Sequence, residues 1–148
     1  MARQQTTWIV MADGARARIV KRKEENHGFD VLLELDSPEA HMLSRDLGSD
    51  RPGRTQESGD ATRHAIQPRH DLHRKNMDAF LRRVATHLNQ ADTQKSYDAL
   101  ILFAPPHALG ELRRHLSAEA GKKVKAAIAK DLNKLPLTEL PEHLPTLK

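Results

Sequence analysis

Residues 97–104 read YDALILFA, a continuous apolar run that ends at Pro105-Pro106. Such runs are typical of a central strand that is buried on both faces of a sheet. The segment before it has helical periodicity, and a strand that follows a crossover helix usually lies parallel to a neighbouring strand. The sequence therefore predicts an α/β sheet organised around this strand.

Helical periodicity begins upstream of that strand at about Leu72, with Asp71 as the expected N-cap. Six apolar residues recur there at three- and four-residue steps, which places them on one helical face: Met77, Phe80, Leu81, Val84, Leu88 and Ala91. Four polar residues fall on the opposite side: Arg82, Arg83, His87 and Gln90. A long helix with a single buried face is the predicted crossover.

The segment after the central strand predicts a helix, a strand and a short helix. Pro106 opens the helix, which turns Leu109, Leu112 and Leu116 inward and ends at Gly121. Residues 122–130 predict a fifth strand with Val124, Ala126 and Ile128 on one face, although the alanines also suit a helix. Its lysines are Lys122, Lys123 and Lys125, which would form the solvent side of an edge strand. Residues 138–144 predict a last helix capped by Thr138.

The opening of the chain predicts a three-stranded antiparallel meander. TTWIVM at residues 6–11 is a strand that places Trp8 largely inside, and residues 15–21 return as a second strand. Asp13-Gly14 between them favours a two-residue hairpin turn with positive φ at both central positions. A third strand, FDVLLEL, follows at residues 29–35.

The element order is β-β-β-α-β-α-β-α, which predicts one domain over residues 1–148. Three antiparallel strands followed by two right-handed crossovers give a mixed five-stranded sheet with helices on its faces. This order is that of ribonuclease-H-like domains, an analogy of fold that implies no activity.

Residues 37–72, here called the basic segment, show neither helical nor strand periodicity. We expect a long loop, and loops of this length are either functional or disordered. Its candidate phosphate-binding residues are Arg45, Arg51, Arg54, Arg63, His64 and Arg69, because guanidinium forks match phosphate oxygens. Acidic residues are interleaved with them, so a self-paired and solvated loop remains equally open: Asp46, Asp50, Glu57, Asp60 and Asp71.

Composition limits the function. The formal charge is +4 and the pI about 9.6, which permits an anionic partner without demanding one. Five aromatic residues are too few for a single-strand stacking platform. The absence of cysteine excludes thiolate catalysis and thiolate metal sites. No apolar run is long enough for a membrane span, and no signal peptide is evident, so we expect a cytoplasmic protein without membrane insertion.

Catalytic and metal-binding motifs are weak. A two-metal nuclease needs a carboxylate in its first strand, and this first strand has none, while Asp13, Asp98 and Asp131 lie at a turn or at strand ends. Three histidines, His64, His70 and His73, are the weak metal-ligand candidates, although their spacing matches no structural zinc pattern. The sequence predicts no cofactor, and neither a Walker loop nor a serine-hydrolase elbow is present.

Four stretches together resemble the bacterial family called "protein required for attachment to host cells". They are WIVMADGARARIV, SPEAHMLSRDLGSDRPGRTQESGDATRHA, YDALILFAPPHALGELRRHL and KDL, and they span almost the whole chain. The resemblance implies a ribonuclease-H-like fold similar to the middle domain of class-I release factors and pelota, which sits on the ribosome. Release factors carry Gly-Gly-Gln in the corresponding loop. Here the nearest string is Gly53-Arg54-Thr55-Gln56, which leaves Gln56 as a weak catalytic candidate.

Three functional hypotheses follow. The first is a non-enzymatic module that docks the basic segment on structured RNA, with the ribosome as the expected partner. The second is a hydrolase of tRNA esters that uses Gln56 and His64. The third is a role in attachment to host cells, for which an indirect effect fits a chain without an export signal. The sequence does not indicate an oligomeric state.

Overall fold

The computed structural model describes residues 5–23, 28–38 and 59–145, with side chains from residue 72 onward in the last segment. The strands are β1 (Thr7–Ala12), β2 (Arg16–Arg22), β3 (Phe29–Asp36), β4 (Ala99–Phe103) and β5 (Val124–Ile128). The helices are α1 (Gly59–Thr93), α2 (Pro106–His115), α3 (Ala118–Lys122) and a 3₁₀ helix η1 (Leu137–His143).

The five strands form one mixed sheet in the order β3-β2-β1-β4-β5. The first three strands pair antiparallel, and β4 lies parallel to both β1 and β5. All five residues of β4 are buried, as the apolar run predicts. The predicted α/β fold with a mixed five-stranded sheet is therefore confirmed, and β5 is a strand rather than a helix.

One face of the sheet is covered by α1 and α2. The predicted α1 stripe is confirmed: Phe80, Leu81, Val84 and Leu88 are at most 2% exposed, and Arg82, Arg83, His87 and Gln90 lie on the exposed side. On α2, Leu112 is buried and Leu109 and Leu116 pack at the edge of the same core. Trp8, expected to be largely buried, is partly buried and stacks obliquely on Tyr97, with ring centroids 5.0 Å apart.

The opposite face is covered by the segment that follows β5. Leu132 and Leu140 are buried there against Ile9, Met11 and Phe103. Arg18 of β2 fixes this segment, because its Nη2 donates to the carbonyl oxygens of Leu132 at 2.7 Å and Leu135 at 2.9 Å. The last helix is the 3₁₀ helix η1, which is preceded by Pro136 without a side-chain cap, so the predicted cap at Thr138 is wrong.

The predicted boundary between the loop and the first helix is wrong. Helix α1 begins at Gly59, so Asp71 lies inside the helix, and residues 59–72 of the basic segment are helical. Hydrophobic periodicity reports only the buried face of a helix, and Ile66 is the only large apolar residue in positions 59–71. Pro68 also argued for a loop, because proline disfavours a helix interior, yet it lies within α1.

The hairpin between β1 and β2 forms with a different turn from the predicted one. The Asp13 amide donates to the Arg16 carbonyl at 2.9 Å, so Gly14 and Ala15 are the central residues. Lys95 is the only residue with positive φ in the described ranges, which rules out the predicted turn type. Asp13 Oδ1 instead accepts the amides of Ala15 at 2.7 Å and Arg16 at 2.8 Å, and these bonds stabilise the turn.

Two details around β5 also differ from the sequence prediction. Helix α2 ends at His115, and Gly121 lies inside α3 rather than at a helix end. A register shift between Leu100 and Ile101 of β4 places Val124 on the helix side and Ala126 on the opposite side of the sheet. The expected single face for these two residues is therefore wrong, because simple alternation ignores such a bulge.

Candidate functional site

Helices α1 and α2 lie side by side on one face of the sheet and run in the same direction. His107 in the first turn of α2 contacts Asp78 of α1, and the carbonyl of His115 at the end of α2 accepts from Asn89 Nδ2 at 3.1 Å. Asn89 Oδ1 also accepts the Ser117 amide at 2.8 Å. These bonds fix the relative position of the two helices.

Four ionisable side chains meet between the helices, and we call them the interhelical cluster: Asp78, His107, Glu111 and His115. His107 Nε2 lies 3.0 Å from Asp78 Oδ1, and His115 Nε2 lies 3.5 Å from Glu111 Oε2. The side chains of Glu111 and His115 are 16% and 20% exposed, whereas that of His107 is 48% exposed. The cluster is therefore enclosed at one end and open to solvent at the other.

Exposed cations surround this cluster. Along α1, residues 75, 78 and 82 are spaced by three and four positions, so Lys75 and Arg82 share a flank with Asp78. On α2, Arg114 Nη1 lies 3.4 Å from Glu111 Oε1, and the Arg114 side chain is 73% exposed. We call Lys75, Arg82 and Arg114 the basic rim. Three further exposed arginines lie on the same helices: Arg74, Arg83 and Arg113.

The residues predicted from sequence as an RNA site fall mostly outside what the structure describes. Arg45, Arg51, Arg54 and Gln56 lie outside the described residues. Arg63, His64, Arg69 and His70 lie in the first half of α1, where side chains are not described. His73 is partly exposed on the same helix. Their roles remain predictions.

The interhelical cluster and the basic rim were not predicted from the sequence. A signal for the cluster exists in residues 107–115, HALGELRRH, where His107, Glu111 and His115 recur every four residues. That spacing places the three side chains on one helical face. Asp78 belongs to another helix, and only the packing of α1 on α2 brings it to them.

The carboxylates considered for a nuclease have structural roles. Asp98 Oδ2 accepts the Thr6 amide at 2.8 Å, and Asp131 Oδ1 accepts the Asn133 amide at 3.1 Å. Asp13 stabilises the first hairpin turn, as described above. Asp98 lies at the start of β4, at the opposite end of the strands from Asp13, and the three carboxylates form no common metal-ligand group within the described residues.

A second polar group lies at the junction of α1, β4 and α3. Tyr97 is buried and donates its hydroxyl to the Leu88 carbonyl at 2.7 Å. The Lys123 ammonium forms an ion pair with the buried carboxylate of Asp92 and lies 5.3 Å from the Tyr97 ring centroid. Burial, and secondly the Asp92 charge, raises the pKa of Tyr97 well above its ordinary value. Lys123 thus faces inward, contrary to the prediction, whereas Lys122 and Lys125 are exposed.

The sequence matches the family described as "Protein required for attachment to host cells" over residues 8–144. The chain belongs to this host-attachment family. No curated protein matches this host-attachment protein in sequence. Among solved structures it is similar to the archaeal translation termination factor aRF1, with 14% sequence identity and a TM-score of 0.49. The match covers 94% of the host-attachment protein but 35% of the termination factor.

Within the described part of the host-attachment protein, no helix has both the length and the apolar character that a membrane crossing requires.

Proposed function

We propose that this host-attachment protein is a non-enzymatic module that binds structured RNA, with ribosomal RNA as the expected target. Contact is made through the basic rim together with the arginines of the basic segment. The observation that carries the proposal is the concentration of exposed cations on the outer side of α1 and α2, with Arg63 and Arg69 in the first half of the same α1.

The chemistry of the rim suits phosphate groups. Guanidinium groups form paired hydrogen bonds to phosphate oxygens, and exposed cations release counterions from RNA when they bind it. The scarcity of aromatic residues supports a folded RNA over a single strand, because single strands are held largely by stacking on aromatic rings. Phosphate contacts of this kind recognise the shape of RNA more than its sequence.

The proposal is tested by co-sedimentation of the purified protein with ribosomes at low and moderate salt. Three variants are compared, and each removes three cations and lowers the formal charge from +4 to +1. The rim variant is Lys75→Ala/Arg82→Ala/Arg114→Ala. The segment variant is Arg51→Ala/Arg54→Ala/Arg63→Ala. The control variant, Lys122→Ala/Lys125→Ala/Lys130→Ala, removes exposed lysines from α3, from β5 and from the segment that follows β5.

Salt-sensitive pelleting of the wild type and the control, with loss in the rim and segment variants, is the expected result. Equal loss in all three variants would mean that net charge alone governs the interaction. No pelleting at low salt, with Trp8 fluorescence showing a folded protein, would refute the ribosomal target. Retention of full binding by both the rim and the segment variants would refute the proposed surface.

Attachment to host cells, which names the family, would then follow from RNA binding as a downstream effect. Fractionation of intact cells tests whether the role in attachment is indirect. Recovery of the protein chiefly on the cell surface would instead favour a direct role in attachment.

A further inference from the structure

We propose that the interhelical cluster is a transition-metal site that takes Zn²⁺ between α1 and α2. The ligands are one oxygen each from Asp78 and Glu111 and one imidazole nitrogen from His107. A water molecule completes the coordination. This proposal does not rest on the proposed RNA binding, although the site adjoins the basic rim.

The positions of the ligand atoms fit zinc. One ligand atom from each of Asp78, His107 and Glu111 lies within 4.8 Å of the others. Zinc bonds to nitrogen and oxygen of about 2.0–2.2 Å place tetrahedral ligand atoms about 3.3 Å apart. The His107 Nε2 and Asp78 Oδ1 pair is already at 3.0 Å. Small side-chain rotations are therefore enough to bring the three ligand atoms to bonding distance from one ion.

The charges in the cluster also call for a cation. Two carboxylates, from Asp78 and Glu111, approach each other on a surface where both are less than one third exposed. Arg114 contacts Glu111, but its side chain is 73% exposed and its attraction is therefore well screened. The histidines offset the carboxylates only when protonated. A divalent ion offsets both carboxylates while the imidazoles stay neutral.

The ligand types select the metal class. Mixed imidazole and carboxylate ligands suit Zn²⁺ and its neighbours, whereas Mg²⁺ and Ca²⁺ prefer sites made of oxygen alone. On α2, His107 and Glu111 are four residues apart, the spacing by which two helical side chains share one metal ion. With Asp78 from α1, the ion would join the two helices directly.

The test is calorimetric titration of the purified protein with Zn²⁺, followed by Co²⁺, whose visible absorption reports tetrahedral coordination. We expect one ion per chain. At free zinc 100-fold above Kd, the thermal unfolding midpoint should rise by about 5 to 10 °C. His107→Ala and Glu111→Gln should each weaken binding at least about 10-fold and suppress the Co²⁺ spectrum. Both side chains lie at the protein surface, so the variants are expected to fold.

Two controls separate this site from other histidines. His87→Ala removes an exposed histidine from the opposite side of α1 and should leave zinc affinity unchanged. His64→Ala/His70→Ala/His73→Ala removes the three histidines that the sequence offers as weak metal-ligand candidates, and should also leave zinc affinity unchanged. Loss of zinc binding in that triple variant, with retention in His107→Ala/Glu111→Gln, would overturn the proposal. So would the absence of zinc binding by the wild type.

Discussion

Met77 of α1 packs so closely on Gly14 in the β1–β2 turn that a Cβ atom at residue 14 would overlap the Met77 side chain. A Cβ atom built on Gly14 would lie 2.7 Å from Met77 Cγ and 3.1 Å from its Sδ. Gly14 is buried and has no positive φ, so the glycine serves the approach of the helix rather than the conformation of the turn. The close packing of α1 on the β1–β2 turn therefore depends on glycine at residue 14.

Gly14→Ala should destabilise the protein by about 1–3 kcal/mol, because overpacking displaces side chains and backbone. Urea unfolding followed by Trp8 fluorescence measures the change. In a Met77→Ala background the same substitution should cost less, with a coupling energy of about 1 kcal/mol. Additive effects of the two substitutions would contradict the contact.

Gly110→Ala is the matched control. Gly110 lies exposed within α2, and a Cβ atom there would meet nothing within 4 Å. Alanine should therefore stabilise the protein by about 0.5–1 kcal/mol through helix propensity. A lower free energy of unfolding in Gly14→Ala and a higher one in Gly110→Ala would show that the close contact with Met77 determines the effect at residue 14.

The sequence predicted those features that depend on apolar patterning. β4 reads as a buried strand because it is covered on both faces, and α1 reads as a helix wherever it packs on the sheet. The start of α1 at Gly59 was not predicted, because residues 59–71 contain one large apolar residue, Ile66, and therefore show no hydrophobic periodicity. The interhelical cluster was not predicted for another reason: Asp78 and His107 are 29 residues apart in sequence, and only tertiary packing brings them into contact.

Arg18→Met should destabilise the protein by about 1–3 kcal/mol. The substitution removes two partly buried hydrogen bonds from the charged guanidinium group to the carbonyl oxygens of Leu132 and Leu135. The loss should be local, with faster amide exchange at Glu139 and Leu144 in and after η1. Arg16→Met on the same strand is the control, since its ion pair with Asp36 is more than half exposed on both sides and should contribute little. Equal effects at both positions would argue against Arg18 as the anchor of the C-terminal segment.

Stability should fall as the pH rises above 10, through Tyr97. Burial raises the pKa of Tyr97 in the folded state above the ordinary value of 10.0 that applies to an unfolded chain. Between those two values the unfolded state binds fewer protons than the folded state, so the free energy of unfolding falls with pH, by up to about 1.4 kcal/mol per unit. Stability from this group is fully present below pH 10.

Tyr97 is the only tyrosine, so tyrosinate absorbance follows this one group. In urea the titration should have its midpoint near the ordinary pKa, and in the folded protein it should be delayed until unfolding. Tyr97→Phe should remove the part of the alkaline decline that arises from the Tyr97 hydroxyl. A folded protein in which Tyr97 titrates near pH 10 would disprove the effect of its burial.

The salt dependence of RNA binding should distinguish the basic rim from general positive charge. Each phosphate contact contributes about 0.7 to 0.9 to the slope of log K against log salt. Removing Lys75, Arg82 and Arg114 should therefore lower the slope by about 2 to 3. Removing Lys122, Lys125 and Lys130 should leave it unchanged, because these lysines lie outside the proposed contact surface although their charge is the same. Filter binding of ribosomal RNA over a salt series measures both slopes, and equal slopes for the two variants would remove the rim from the binding surface.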